Sequence, residues 1–361
     1  MSGNAVAVPA GWIERVRAAA ADGVPLWLRG GGTKDFYGRV PAGERFDLGG
    51  HAGVISYEPT ELVVTVRGGT PLAELEALLA TRSQYLAFEP PHFGSGATVA
   101  GCVAAGLSGP RRAAAGALRD FVLGVRILDG RGEVLAFGGQ VMKNVAGYDV
   151  SRLLAGSLGT LGILLEVSLK VMPRPLAEAS LRFEMDEAEA LERLNAWAGQ
   201  PLPISASAWA DGVLHLRLSG AEAAVRAAAA RLGGERLADG EAEAFWIGVR
   251  EQQAPAFARE AAAAPLWRIS LPSVAPPLQL AGRQLIEWGG ALRWRAGEGD
   301  AGKIRHRASE LGGHATLFRS GERADEVFQP PVSPLMALHR RLKAAFDPAG
   351  IFNPGRLYRE L

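Results

Sequence analysis

Glycine is distributed unevenly along this chain, and that distribution restricts the available folds more than any other feature. Of 46 glycines among 361 residues, 28 precede residue 173. Glycine lacks a Cβ and enters positive φ without strain, so dense glycine marks backbone that turns sharply or approaches another group closely. The glycines here sit beside strand-like runs. Leu26-Trp27-Leu28 leads directly into Arg29-Gly30-Gly31-Gly32-Thr33-Lys34. A second stretch begins Gly94-Ser95-Gly96-Ala97-Thr98-Val99-Ala100-Gly101 and continues through Gly106-Leu107-Ser108-Gly109-Pro110-Arg111-Arg112. A third, Gly156-Ser157-Leu158-Gly159-Thr160-Leu161-Gly162-Ile163, opens onto Leu165, Val167, Leu169 and Val171, which alternate with polar residues as a half-buried strand would.

Each loop has a functional reading and a plain one. Converging backbone N–H groups in the first loop, with Arg29 and Lys34 beside them, suit a pyrophosphate, while the same residues also make a simple strand-to-loop turn. The second, built of small uncharged residues, could wrap a flat cofactor or cross the interior as a buried segment. The third reads as a cofactor loop or a helix-to-strand turn. None is a dinucleotide fingerprint: Gly94-x-Gly96 meets Val99 where glycine is required, and Gly156, Gly159 and Gly162 are evenly spaced by three. No phosphate loop ending in Gly-Lys-Ser/Thr occurs. A nicotinamide Rossmann domain and a nucleotide triphosphatase are therefore disfavoured.

Composition excludes further classes. With 39 basic against 38 acidic side chains, the net charge of +1 gives no reason to expect nucleic acid or an anionic membrane surface as a partner. Cys102 is the single cysteine, so the chain forms no internal disulfide and cannot alone ligate an iron–sulfur cluster or a four-cysteine zinc site. It fits a reducing compartment. The start lacks a signal-peptide pattern. The longest uncharged run, Pro90 to Pro110, holds five glycines and opens on two prolines, so it reads as a turn-rich buried loop and not a membrane span. No metal site is expected.

Pro173-Arg174-Pro175 divides the chain. The preceding 172 residues carry 2 tryptophans and the remaining 189 carry 6. Before the division, strand patterns alternate with glycine loops. Thr70-Pro71 suggests a helix cap leading to about Ala80, and Asp129-Gly130-Arg131-Gly132 joins two strands as a hairpin. After it, Leu232-Gly233-Gly234, Trp288-Gly289-Gly290 and Leu311-Gly312-Gly313 read as helix ends, the last two followed by strands at 291–294 and 315–318. Helices over one face of a small antiparallel sheet result. The last thirty residues return to turn-rich sequence, and most tryptophans are expected in the core.

In this order, Arg29–Lys34, Thr98–Gly101, Ser108–Arg112, Gly147-Tyr148-Asp149, Gly156–Ile163 and Asn353-Pro354-Gly355 resemble the vanillyl-alcohol-oxidase/cresol-methylhydroxylase (PCMH) type of FAD-binding family. Gly109-Pro110-Arg111-Arg112, Arg119–Gly124 and Val141–Asp149 are closer to the FAD-binding subunits of bacterial glycolate oxidases. The resemblance implies an α+β fold: a two-subdomain PCMH-type FAD-binding domain over 1–172, a smaller α+β cap over 173–330, and a C-terminal segment, 331–361, returning to the flavin domain. It implies that Arg29, Gly30, Gly31, Gly32, Thr33 and Lys34 hold the pyrophosphate. Thr98, Val99, Ala100, Gly101, Ser108 and Gly109 would run beside the diphosphate and flavin, with Gly159, Gly162 and Ile163 at the adenosine end. Relatives that link FAD covalently use a histidine in the first loop. Gly32-Thr33-Lys34 has none, so non-covalent FAD is expected. Cys102 reads as a small buried thiol.

Hydroxy-acid dehydrogenases of this kind carry a metal-binding His-x-Gly-Asp-Gly-Asn-x-His motif. This chain lacks it: its six histidines, at 51, 92, 215, 306, 314 and 339, are scattered, and Gly297-Glu298-Gly299-Asp300 reads as a solvated turn. Arg111 or Arg112 for a substrate anion, then Lys143, Tyr148 and Asn353, are the candidates near a flavin, each equally open to a loop-anchoring role. No general base is assigned. The resemblance implies a flavoprotein subunit that oxidises a small 2-hydroxy acid such as glycolate or D-lactate. A larger FAD-containing oxidase subunit and an iron–sulfur subunit would be its partners, in the cytoplasm or peripheral at the inner membrane face through them. The alternatives are a self-sufficient FAD oxidoreductase on another hydroxy acid and a non-catalytic FAD-containing assembly subunit.

Overall fold

The structure, a computed structural model, describes residues 8–139, 148–254, 257, 264–320 and 326–361. Lys143, and residues 141–147 of the motif around it, lie outside the described residues.

The first half is built around a five-stranded antiparallel sheet. Its strands are β3 (Val54–Glu58), β4 (Val63–Arg67), β6 (Val122–Leu128), β7 (Val134–Gly138) and β8 (Ile163–Lys170), in the order β3-β4-β8-β6-β7. A parallel pair, β1 (Leu26–Arg29) and β2 (Glu44–Asp47), lies apart from it, as does the short pair β5 (Gln84–Tyr85) and β9 (Met172–Pro173). Helix α1 (Trp12–Asp22) packs Val16 and Ala19 with Leu26, Phe46, Leu128 and Ile163. Ile351 and Phe352 from the C-terminal end complete that core.

Strand β8 is buried along nearly its whole length, with Glu166 and Ser168 included. The alternation predicts a half-buried strand. Two cores cover both faces instead, with Leu72, Val99 and Val103 on one side and Val16, Leu26 and Phe352 on the other, and the polar positions are accommodated locally: Ser168 Oγ meets Thr65 Oγ1 at 2.8 Å, and Glu166 lies 3.8 Å from the Arg126 guanidinium. Helix α2 (Leu72–Ala80) starts one residue later than expected, after Pro71, because the Thr70 hydroxyl donates to the Arg67 carbonyl and does not cap the helix. Part of the second glycine stretch is also helical. Thr98 caps α3 (Val99–Ala105), its Oγ1 accepting from Gly101 N–H at 3.2 Å.

The second half forms an eight-stranded antiparallel sheet, wider than the small one expected. Its strands are β10 (Ala177–Glu184), β11 (Ile204–Ala210), β12 (Val213–Gly220), β13 (Glu235–Arg236), β14 (Leu266–Ser270), β15 (Arg283–Glu287), β16 (Leu292–Ala296) and β17 (His314–Arg319), ordered β13-β10-β12-β11-β15-β16-β14-β17. Trp288-Gly289-Gly290 therefore links two strands and ends no helix. Gly289 and Gly290, at φ 65° and 101°, make the turn. The expected helix ends at Leu232 and Leu311 do follow helices, α6 (Glu222–Leu232) and α8 (Ala301–Glu310). Asp300 of the solvated turn caps α8, accepting from Lys303 N–H. The C-terminal segment also departs from the turn-rich expectation: it carries helix α9 (Ser333–Phe346).

Strand periodicity separates the faces of the larger sheet. One face carries Leu181, Leu216, Trp209, Ile286, Ile269 and Ala315 against α5 (Glu187–Ala198), α6 and α8. The other carries Ala206, Ala208, Leu285, Leu292, Trp294, Leu266 and Phe318, which pack on Tyr37, Ala105, Leu107 and Leu158 of the first half. Helix α7 (Asp239–Arg250) adds Trp246 and Val249 to this layer. As expected, Trp209, Trp246, Trp267, Trp288 and Trp294 are buried. The contact between the halves is thus an apolar core in its own right, and every charged group placed in it requires an explanation.

Candidate functional site: a glycine cradle and an aromatic contact layer

The first glycine loop leaves β1 as a row of open donors. Among the described residues, the backbone N–H groups of Gly30, Gly31, Gly32, Thr33 and Lys34 have no protein acceptor, and neither do those of Gly94, Ser95 and Gly96 facing them. The glycines are required here. A Cβ on Gly31 would collide with the Gly96 carbonyl, and one on Gly30 with Thr98 Oγ1. Gly32, at φ 75°, occupies the left-handed region that favours glycine. Consecutive unsatisfied amides form an anion-binding concavity. Gly30 to Lys34 line a shallow cleft together with Arg29, Gly101, Leu158, Asn353 and Arg356. These residues fit a pyrophosphate: the cradle supplies donors without side-chain bulk, and Arg29 stands beside it, its Nε 2.7 Å from Asp35.

The remaining residues expected at the cofactor divide by what their polar groups do. The amides of Val99 and Ala100 donate to Thr70 and Gly68, so these two contribute packing and backbone position. Ser108 Oγ accepts from Leu118 N–H, and Gly109 N–H donates to Phe88. Asn353 is engaged at both ends: Oδ1 accepts from Leu28 N–H and Nδ2 donates to Leu158 O, clamping β1 to the third loop beside Gly159. Gly162, at φ 151°, and buried Ile163 begin β8 next to Leu128. Lys34 is drawn inward; its Nζ donates to His92 O at 3.2 Å, and burial lowers its pKa. Cys102 is buried as expected, and that burial pushes its thiol up to about 12. Tyr148 is 95% exposed.

Arg111 and Arg112 part company. Arg111 is buried in an ion-pair cluster, with Nε 3.3 Å from Glu89 and a further bond to Glu178. Arg217 completes the cluster at 2.8 Å from Glu89. The opposing guanidiniums hold the Glu89 carboxyl below its usual range although burial alone would raise it. A groove of about 490 Å³ opens beside this cluster against α7, and none of the cradle residues lines it. Arg112 instead stacks on Trp288, its Cζ 4.4 Å from the ring centroid.

Sequence reasoning missed the groups that the larger sheet brings to this contact. Arg268 lies 5.4 Å from the same Trp288 ring. Glu287 is buried, accepts from Trp294 Nε1 at 2.7 Å, and is pushed up to about 8 chiefly by burial. A bulge in the β14–β17 register lets both Phe318 and Arg319 reach the first half. Phe318 meets Phe36, Tyr37 and Trp294, while Arg319 stacks over Phe36 at 4.4 Å. The available signal was a charge interrupting an apolar run, as in Leu266-Trp267-Arg268-Ile269 and Leu285-Ile286-Glu287-Trp288.

Residues 9–138 match the FAD binding domain family, and residues 330–357 match the C-terminal domain of FAD linked oxidases. The chain is 50% identical to glycolate oxidase subunit GlcE of Escherichia coli over 97% of both chains. It is 33% identical to glycolate oxidase subunit GlcD of Bacillus subtilis over 44% of this chain and 34% of that one. Among solved structures, an alkyldihydroxyacetonephosphate synthase superposes with a TM-score of 0.66 at 15% identity, over 96% of this chain and 75% of that one, which shows the shared fold. No helix among the described residues is long and apolar enough to cross a membrane. The chain belongs to the FAD-linked oxidase family that includes glycolate oxidase subunit GlcE, an oxidoreductase family of PCMH-type fold with FAD as its cofactor.

Proposed function

We propose that this chain is the FAD-binding subunit of a glycolate-oxidase-type complex. It would oxidise a small 2-hydroxy acid, glycolate or D-lactate, and pass the electrons to an iron–sulfur partner beside a larger FAD-containing oxidase subunit. FAD, when bound, supplies the two-electron acceptor. In this reading residues 1–172 are the FAD-binding domain, 173–330 the cap and 331–361 the segment that closes back on the flavin domain. The observation that carries it is the cradle of open amides at 30–34, in a chain half identical to a glycolate oxidase subunit along almost its whole length. Gly30 to Lys34 would hold the pyrophosphate through backbone N–H groups, and Arg29 would contribute charge. The segment Thr98 to Gly101 with Ser108 and Gly109 would shape the flavin side, and Gly159, Gly162 and Ile163 the adenosine end. With no histidine in the first loop, FAD would be held non-covalently. Cluster chemistry is left to a partner because this chain has one cysteine.

The test is reconstitution with a spectral readout. The purified chain is expected to carry flavin visible absorbance that acid precipitation releases into solution. The Gly31→Ala variant, whose new Cβ would collide with the Gly96 carbonyl, is expected to lose flavin while keeping its far-UV circular dichroism. Flavin that glycolate or D-lactate bleaches only after partner subunits are added supports the subunit reading. Rapid bleaching of the lone chain would favour a self-sufficient oxidoreductase. Flavin never reduced in the assembled complex would leave a non-catalytic assembly subunit. A folded but colourless chain that takes up no FAD overturns the proposal.

A further inference from the structure

We propose that Arg112 and Arg268, stacked on Trp288 where the larger sheet meets the first half, form a subsite for a carboxylate of a small organic acid. This rests on the hydroxy-acid reading above and assigns the residues that would recognise the acid. Trp288 is buried, and its Nε1 donates to Gly109 O at 3.0 Å, so the ring is fixed from the flavin-domain side. The two guanidiniums lie 4.4 and 5.4 Å from that ring. They come from different halves of the chain, Arg112 from the glycine stretch and Arg268 from β14. Neither makes a hydrogen bond or an ion pair to the protein among the described residues.

Buried arginines elsewhere in the molecule have carboxylate or carbonyl acceptors, as Arg111, Arg217, Arg293 and Arg295 do. Glu89 and Glu178 pair with Arg111 and Arg217, and Arg293 donates to the carbonyls of Ala275, Pro276 and Gly290. A partly desolvated guanidinium without a partner is costly, and two side by side repel each other. Burial and then the charges of Arg268 and Arg119 depress the Arg112 pKa, and Asp120 offsets them only in part. The nearby carboxyl does not supply one. Glu287 accepts from Trp294 Nε1, and burial pushes its carboxyl up to about 8, which disfavours its charged form. Each guanidinium offers the paired N–H donors that suit a carboxylate, and the shared ring keeps the two within electrostatic reach of one another. The pyrophosphate of the cofactor has its own donors in the glycine cradle and does not need these two guanidiniums.

The experiment titrates the full-length FAD-loaded chain with oxalate and with glycolate, followed by tryptophan fluorescence and calorimetry. Saturable binding is expected. Arg112→Gln and Arg268→Gln should each weaken it roughly 10- to 100-fold, the span of a lost charge-assisted hydrogen bond, while the Lys variants retain part of the affinity. Flavin absorbance and near-UV circular dichroism, read in the same samples, separate loss of the subsite from misfolding. A colourless wild-type chain would register against the flavoprotein reading, and carboxylate binding is measured independently of it. Unchanged oxalate affinity in both Gln variants would overturn the subsite. So would inorganic phosphate binding as tightly as oxalate, or a flavin-loaded chain with no saturable carboxylate binding.

Discussion

Two groups of arginines lie between the sheets, and chain neighbours belong to different groups. Around Glu89, Arg111 and Arg217 share one buried carboxylate, Glu178 pairs with Arg111, and Ser219 donates to Glu178 at 2.6 Å. Around Trp288, the Arg112 and Arg268 guanidiniums stack on an indole and make no ion pair within salt-bridge distance among the described residues. The first group joins segments far apart in sequence and is electrostatically complete. The second is placed equally well but holds unspent positive charge. The contrast teaches that burial of an arginine says little about its role. Its partners decide: a saturated guanidinium holds the fold together, and an unsaturated one is available to a ligand.

The strongest way to break this comparison is to remove the shared carboxylate. Glu89→Ala would strand Arg111 and Arg217 as buried cations, and breaking a buried pair in this way typically costs about 3–5 kcal/mol. Denaturant unfolding is expected to show a loss of that order. A loss below about 1 kcal/mol would mean that the cluster is wetter than its geometry implies.

A second test uses Glu287, which lies within electrostatic reach of both groups: Arg268 favours its charged form, while Glu89 and burial oppose it. Its carboxyl titrates near 8 in the folded chain, against an ordinary value of 4.5. The folded state therefore holds a proton that the unfolded chain gives up. The resulting stabilisation is complete below about pH 4.5 and is lost as pH rises through about 8. Relative to Glu287→Gln, wild-type stability should fall by a few kcal/mol across that window. Parallel pH–stability curves for the two proteins would sink the assignment.

The smallest expected effect sharpens the comparison most. Arg112→Ala should change stability by less than about 1 kcal/mol, since it removes stacking and also relieves repulsion from Arg268. Arg111→Ala should cost at least about 2 kcal/mol by uncovering Glu89. Equal losses in paired thermal melts would erase the distinction between saturated and open arginines.

Much of the first half was legible locally. Strand β1 and its glycine loop, the hairpin joining β6 to β7, and the third loop leading into β8 all follow from contiguous residues whose turn chemistry and periodicity act over short range. What failed did so through competition at a distance. Strand β8 reads as half-buried until β4 and β6 flank it and both faces are covered. Trp288-Gly289-Gly290 imitates a helix end because the same glycine geometry closes a turn between strands. The candidate cradle could be read from residues 29–34, whereas Glu287, Trp288 and Arg268 were not legible as a group. Their proximity depends on antiparallel pairing across β15, β16 and β14.

The sequence by itself determined where the backbone must bend and which glycine loop leaves β1, because glycine's freedom is a property of the local chain. It also determined, through its single cysteine, that no cluster is ligated by this chain alone. Only the tertiary structure decided which arginine is satisfied. Arg111 and Arg112 are equivalent in sequence, and they differ because folding delivers Glu89 and Glu178 to one guanidinium and Trp288 to the other. Charge in a buried layer is governed by what stands opposite it, and what stands opposite is set by the meeting of the two sheets.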